Sequence, residues 1–282
     1  MGFTLNWGDH SLNLDGRTHV MGVLNITPDS FSDGGRFFEP EKAVEHALQM
    51  AREGADIIDV GGESTRPYAR KISSGEELDR VIPVIKALSK ELAIPISIDT
   101  YKHVVAQEAL KNGASIINDI SALRFDPQMA SIAAEAKVPV VIMHMKGTPE
   151  NMQDNPTYKD LLGDILGFLK EAGRRAVDAG IREDLIIVDP GIGFGKTFDD
   201  NLKLIRDLRR FQALEKPILV GPSNKAFIGH VLDKEPDQRD TGTMATIAYM
   251  VLNGAHIVRA HNVGKAVETI KTVEAIKRGS AH

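Results

Sequence analysis

Gly54-Ala-Asp-Ile-Ile-Asp59 returns later in the chain as Gly113-Ala-Ser-Ile-Ile-Asn118 and again as Gly254-Ala-His-Ile-Val-Arg259. Ahead of the first copy, Val44, Ala47, Leu48 and Ala51 recur at helical spacing, and a glycine just past a helix supplies the left-handed cap that other residues resist. Each copy therefore reads as a helix end, a turn and a short buried strand, half of a β-α-β unit. A second form uses proline as the strand lead-in: Ile94-Pro-Ile-Ser-Ile-Asp99, Val138-Pro-Val-Val-Ile-Met143 and Lys216-Pro-Ile-Leu-Val-Gly221. Proline is tolerated at a strand's first residue. Val20 to Asn25 and Leu185 to Asp189 complete eight apolar strands separated by helix-length segments.

Strands that are apolar on both faces and joined by helices form a parallel sheet covered by those helices, and eight such units close a (β/α)8 TIM barrel. The length of 282 residues suits one such barrel, and no linker or low-complexity segment breaks it, so residues 1–282 are expected to form a single domain. Residues 1–18 read as a small hairpin before the first strand, placed to plug the barrel's bottom. An open doubly wound sheet is the structural rival, but it would gather ligand groups at one switch point, whereas here polar residues end nearly every strand.

Composition narrows the function. Hydrophobic residues make up 42% and charged residues 26%, as in ordinary soluble proteins. The formal charge of -5 gives no general attraction to nucleic acid or anionic lipid, so an anion has to be gripped by a local set of donors. The absence of cysteine rules out disulfides, thiolate metal sites and a cysteine nucleophile. The apolar runs are too short for a membrane span, and no secretion signal is visible, so the expectation is a soluble cytoplasmic protein.

The strands end at Asn25, Asp59, Asp99, Asn118, Met143 with His144, Asp189, Gly221, and Arg259 with His261. In a barrel these positions converge on one mouth, where active sites sit. Any one of them could simply stop a strand or cap a helix; the full ring points to a site. Asp99, Asn118 and Asp189 together suit a flat heterocycle that presents several N–H donors. Two loops, Ile26-Thr-Pro-Asp-Ser-Phe-Ser-Asp-Gly-Gly35 and Val60-Gly-Gly-Glu-Ser-Thr-Arg-Pro67, mix glycine with hydroxyl and charged groups, as ligand-covering loops do. Arg66 offers a planar fork for phosphate or carboxylate.

Asp189-Pro-Gly-Ile-Gly-Phe-Gly-Lys-Thr197 has the wrong glycine spacing for either common nucleotide loop, and reads as a close-packed lead into the next helix. Gly221-Pro-Ser-Asn-Lys225 opens a helix whose free N–H groups could hold an anion, or in which Ser223 is a plain cap. His144 and His261 lack metalloprotease spacing and suit core or supporting roles better than ligation. An oxygen-ligated Mg²⁺ near Asn25, shared with a substrate's phosphates, fits a loosely held hard cation.

Over nearly the whole chain these segments resemble dihydropteroate synthase. The resemblance rests on Gly22-Val-Leu-Asn-Ile-Thr-Pro-Asp-Ser-Phe-Ser-Asp-Gly-Gly35, Asp56-Ile-Ile-Asp-Val-Gly-Gly-Glu-Ser-Thr-Arg-Pro67, Ser97-Ile-Asp-Thr-Tyr-Lys102, Ile116-Ile-Asn-Asp119, Met143-His-Met145 and Asp189 to Lys196. It implies a barrel enzyme, commonly dimeric, that joins 4-aminobenzoate to 6-hydroxymethyl-dihydropterin diphosphate and releases pyrophosphate. By the same resemblance Asp99, Asn118, Asp189 and Lys225 hold the pterin, and Met143 and Phe194 pack near its ring. Asn25 contacts Mg²⁺, Arg259 and His261 bind the diphosphate, and Thr65, Arg66, Pro67 and Ser223 shape the aminobenzoate site beside Gly221. Asp99, Asp189, Lys225 and Arg259 are the expected catalytic set.

Three positions depart from the family pattern. Asn224 stands where arginine is usual, Tyr68 where glycine follows the Ser-Thr-Arg-Pro run, and Asn262 where aspartate follows the last histidine. The pterin half is intact and the acceptor half altered, which leaves room for changed sulfonamide sensitivity, another amine, or a weakly active or non-catalytic pterin-binding paralogue. A folate-dependent corrinoid methyltransferase is the enzymatic rival, and the two loops with Lys225 speak against it.

Overall fold

The computed structural model describes residues 2–27, 40–66 and 68–280. The expectation placed on Pro67, and most of those on the first covering loop, lie outside the described residues.

The chain opens with an antiparallel hairpin, β1 (Thr4–Trp7) and β2 (His10–Asn13). Alternation buries Leu5, Trp7 and Leu12, as a half-covered ribbon requires. The hairpin packs at the N-terminal ends of the barrel strands, where Arg182 donates to the Asn6 carbonyl and Phe3 meets the His256 ring edge-on at 5.1 Å. These contacts set the hairpin against the bottom of the barrel.

Eight parallel strands follow, with helices between them: β3 (His19–Asn25), α1 (Pro40–Arg52), β4 (Ile57–Gly61), α2 (Ser74–Leu88), β5 (Ile96–Asp99), α3 (His103–Lys111), β6 (Ile116–Asp119), α4 (Met129–Ala136), β7 (Val140–Met143), α5 (Leu161–Asp178), β8 (Ile186–Asp189), α6 (Phe198–Arg206), β9 (Leu219–Val220), α7 (Ala226–Leu232), α8 (Asp240–Leu252), β10 (Ile257–Ala260) and α9 (Val263–Arg278). The hydrogen-bonded order runs from β8 down to β3, then β10 and β9. A parallel bridge between Val188 and Ile218 joins the two ends of that order, so the TIM barrel read from the repeat is the fold. The repeat's glycines do the work assigned to them: Gly54, Gly113 and Gly254 have φ of 103°, 111° and 92°. Ile57, Ile58, Ile98, Ile116 and Ile117 are fully buried, which is why these strands read as unbroken apolar runs. Each such side chain contributes about 1.5–3 kcal/mol of burial.

Register sets the height of each polar group. Gly61, Asp99 and Asn118 pair across β4, β5 and β6, while Asp59 pairs with Ser97 one layer lower. Asp59 is therefore not a strand end but lies two residues inside β4, with no solvent exposure. Asn118 and Arg259 likewise precede the last residues of β6 and β10.

Candidate active site

The floor of the mouth is a charged network. The Arg259 guanidinium donates from Nε to Asp59 Oδ2 at 2.6 Å and from Nη2 to Asp99 Oδ2 at 2.7 Å. Asn118 Nδ2 reaches the same Asp59 oxygen at 3.0 Å, which leaves the Asn118 carbonyl oxygen as its spare acceptor. Arg259 is thus folded onto the acids instead of standing open at the rim. Burial pushes the Asp99 carboxyl up to about 7, aided by Asp59, Glu77 and Asp119 and opposed by Arg259. Low-dielectric surroundings disfavour the charged form, and here one cation is shared by two acids.

Across the mouth, Asp189 Oδ1 accepts from the Gly191 N–H at 2.7 Å, and burial lifts its carboxyl to about 6. The glycine run that follows is a close-packing device, as its spacing indicated: Gly191 has φ 70°, and a Cβ there would collide with the His144 carbonyl. Lys196 staples the turn from beneath, donating to the Gly191 and Phe194 carbonyls at 2.8 and 3.0 Å and lying 3.0 Å from His144 Nδ1. Burial lowers Lys196 to about 7 and His144 to about 2, so a neutral His144 accepts from the lysine. His144 thereby supports the turn that follows β8.

Lys225 sits at the N-cap of α7 with Nζ 4.1 Å from the Phe194 ring centroid. Burial and Arg259 lower it to about 8, with Asp189 and Asp99 pulling the other way. Beside it Tyr101, Ile120, Met143, Met145 and Met152 form a separate apolar cluster, with Phe125 and Phe194 against it. An acid-and-amide edge opposite a thioether and aromatic wall suits a flat polar ring: one edge takes N–H donors, the other the ring face.

The rim belongs to His261, Ser223, Asn25 and Arg66. Ser223 does not cap α7; its Oγ accepts the His261 backbone N–H at 3.2 Å and lies 2.9 Å from His261 Nδ1. This ties the loop after β9 to the loop after β10 and orients Nε2 toward Asn25, 3.5 Å away. Burial, Arg259, Lys225 and Arg66 lower His261 to about 4, so it offers hydrogen bonds but no positive charge near neutrality. Arg66 is exposed, and Thr65 half-buried, on the β4–α2 loop. No group of three or more acidic or histidine side chains able to hold a metal occurs among the described residues.

The three departures now have surroundings. Tyr68 adopts φ 61°, the left-handed region that glycine enters freely; its phenol donates to Asp154 at 3.1 Å and its N–H to the Pro149 carbonyl at 3.2 Å. The β4–α2 loop is therefore strapped to the loop after β7. Asn224 also has positive φ, 57°, which asparagine tolerates, and its N–H donates to Thr243 Oγ1 at 3.2 Å. Asn262 caps α9 through Lys265 N and donates to Asp240 at 2.9 Å.

The fold thus brings Asn25, Asp99, Asn118, Met143, Asp189, Phe194, Gly221, Ser223, Lys225, Arg259 and His261 to one mouth. Sequence reasoning placed Asp59 in the ring of strand ends without its partners, and gave no role to Lys196, Ile120 or Met152. A lysine closing a glycine run signalled Lys196; nothing local distinguished Met152.

The chain matches the model of a family described as pterin binding enzyme over residues 21–261. The dihydropteroate synthase of Bacillus subtilis is 50% identical over 273 residues, 96% of this chain and 93% of the relative. Among solved structures, a Yersinia pestis dihydropteroate synthase in complex with a sulfonamide drug superposes with a TM-score of 0.93 at 43% identity, covering 98% of this chain and 100% of its own. A Xanthomonas albilineans dihydropteroate synthase with 4-aminobenzoic acid gives 0.92 at 42%, covering 98% and 99%.

Proposed function

The chain belongs to the dihydropteroate synthases, a family of pterin-binding enzymes, and from that premise we propose how its barrel mouth works. It is a transferase that joins 6-hydroxymethyl-7,8-dihydropterin diphosphate to 4-aminobenzoate, giving 7,8-dihydropteroate and pyrophosphate. The observation that carries the assignment of roles is the acid-and-amide floor facing an apolar wall. Asp99, Asn118 and Asp189 accept from the pterin's N–H edge, Lys225 donates to its acceptor atoms, and Met143 and Phe194 cover the ring. Gly221 leaves room for it.

Breaking the C–O bond to the diphosphate first would leave positive charge on the pterin methylene, which the nearby acids of the floor would stabilise. The diphosphate having left with the electron pair of the C–O bond, the aminobenzoate nitrogen donates its lone pair to the methylene to form the C–N bond, and its surplus proton passes to solvent water. Arg259 and the neutral His261 donate to the departing pyrophosphate. The acceptor lies outward, against Thr65, Arg66, Pro67 and Ser223, where Tyr68 and Asn224 change the family's pattern. Asn25 would supply an amide oxygen to a Mg²⁺, which would offset phosphate charge; a single amide oxygen fits an ion held mainly by substrate and water.

With both substrates and Mg²⁺ present the chain should release pyrophosphate, and 4-aminobenzoate should accelerate that release by consuming the pterin cation. Tight pterin binding without release would favour the non-catalytic reading, and binding of methyltetrahydrofolate in place of the diphosphate the methyltransferase one. Pterin affinity should also depend on pH. Protonated Asp99 loses an acceptor, so affinity should rise with pH and level off above about 7, by up to about tenfold per pH unit below that point. Calorimetry between pH 5.5 and 8 checks this, and a flat profile would remove Asp99 from the ring-binding edge.

Residues 1–282 act as one domain in this reading. Exposed Val231, Leu232, Tyr249 and Leu252 on α7 and α8 support a homodimer built on those helices. No helix among the described residues is long and apolar enough to cross a membrane; a cytoplasmic location is part of the proposal.

A further inference from the structure

Glu63 and Lys102 belong to the motifs that mark this chain, yet neither takes part in the floor or the rim. The structure brings them together behind the β4–α2 loop. Lys102, 9% exposed, donates to Glu63 Oε2, to the Ile72 carbonyl at 2.9 Å and to Glu77 Oε2 at 2.5 Å. An ammonium has three N–H bonds, and all three are used. The acceptors are not scattered. Glu63 stands at the loop's entrance, Ile72 at its exit just before the α2 cap Ser73, and Glu77 in the first turn of α2.

Further bonds serve the same entrance. The Tyr101 phenol donates to Glu63 Oε1 at 2.7 Å, and Arg80 Nη1 donates to the Gly62 carbonyl at 2.8 Å. A Cβ at Gly62 would meet Val81 and Glu77, so this stem lies flush against α2. Buried ion pairs give little net stability over a packed apolar replacement; what they supply is a defined geometry. The segment so held carries Thr65 and Arg66 at its tip.

We propose that Lys102 is a positioning residue for the acceptor site: by pinning both stems of the β4–α2 loop at one buried ammonium, it sets where Thr65 and Arg66 meet the incoming amine. This rests on the reading that the loop forms the acceptor side of a dihydropteroate synthase.

The test uses the full chain and two variants, Lys102→Met and Glu63→Gln. In Lys102→Met, amide hydrogen exchange across residues 62–72 should accelerate by about tenfold or more, because that segment loses its anchor. The KM for 4-aminobenzoate should rise by about tenfold while the KM for the dihydropterin diphosphate stays within about threefold, the signature of a lost contact to one substrate only. Glu63→Gln keeps its shape and should shift both readouts in the same direction by less. Unchanged exchange and unchanged aminobenzoate KM in folded Lys102→Met would overturn the proposal, as would equal losses for both substrates. Should Lys102→Met fail to fold, Glu63→Gln decides by the same two readouts. If the unaltered enzyme released no pyrophosphate, the functional reading would fail, while the exchange measurement would still test the clamp.

Discussion

The Asp99→Ala variant is expected to keep its barrel and to lose pterin affinity by about ten- to a hundredfold, since a charge-assisted hydrogen bond removed is worth roughly 1.5–3 kcal/mol. Asp99 ends β5 at the level of Gly61 and Asn118, and Arg259 engages only its Oδ2. Among the described residues Oδ1 has no hydrogen bond, so it is the atom open to a ligand donor. Arg259 keeps Asp59 as a partner when Asp99 is removed, so the alteration leaves no unpaired cation in the floor. Calorimetric titration with the pterin substrate reads the effect. Near-normal affinity would take Asp99 out of the binding edge.

Replacing Arg259 with methionine should cost stability as well as activity. Its guanidinium is the shared partner of Asp59 and Asp99, and removing one member of a buried pair costs about 3–5 kcal/mol. At roughly 2–4 °C per kcal/mol for a chain of this class, the melting temperature should fall by about 10 °C. The pH dependence follows from the acids left behind. Asp99 already holds its proton to about 7, and without Arg259 it holds it higher still, whereas the unfolded carboxyl ionises near 4. The native state then binds more protons than the unfolded one, so the variant's stability falls as pH rises. Calorimetric melting at pH 5.5 and pH 8 should show the larger deficit at pH 8. An equal deficit at both would mean that the guanidinium contributes packing and not charge.

How much of this was legible in the sequence follows from what each feature depends on. The barrel showed through because Gly54, Gly113 and Gly254 satisfy a local rule: only a short-range turn is needed to read them. The floor residues showed through because Asp99, Asn118 and Asp189 interrupt apolar runs, a contrast visible without coordinates. The depth of Asp59 was not legible, since it depends on how far β4 extends, and the two residues after it, Val60 and Gly61, can as well belong to a loop. Nor was the inward fold of Arg259, which depends on side-chain reach across the barrel. The Lys102 clamp joins residues from two loops and a helix and has no spacing signature at all. Tyr68 stands out in the sequence only as a departure from the family pattern, whereas the structure makes it a strap, its phenol reaching Asp154 from a left-handed backbone.

The Arg259 triad also bears on how the chain comes into being. Arg259 lies 200 residues after Asp59 and 160 after Asp99, and β3 must likewise wait for β10, its neighbour in the ring. A ribosome adding about 5–20 residues per second leaves Asp59 without its counter-ion for roughly 10–40 s. During that interval the first strand's outer edge waits for its neighbour. Closure and charge neutralisation then arrive together with one late segment, so a chain cut short before β10 lacks both at once.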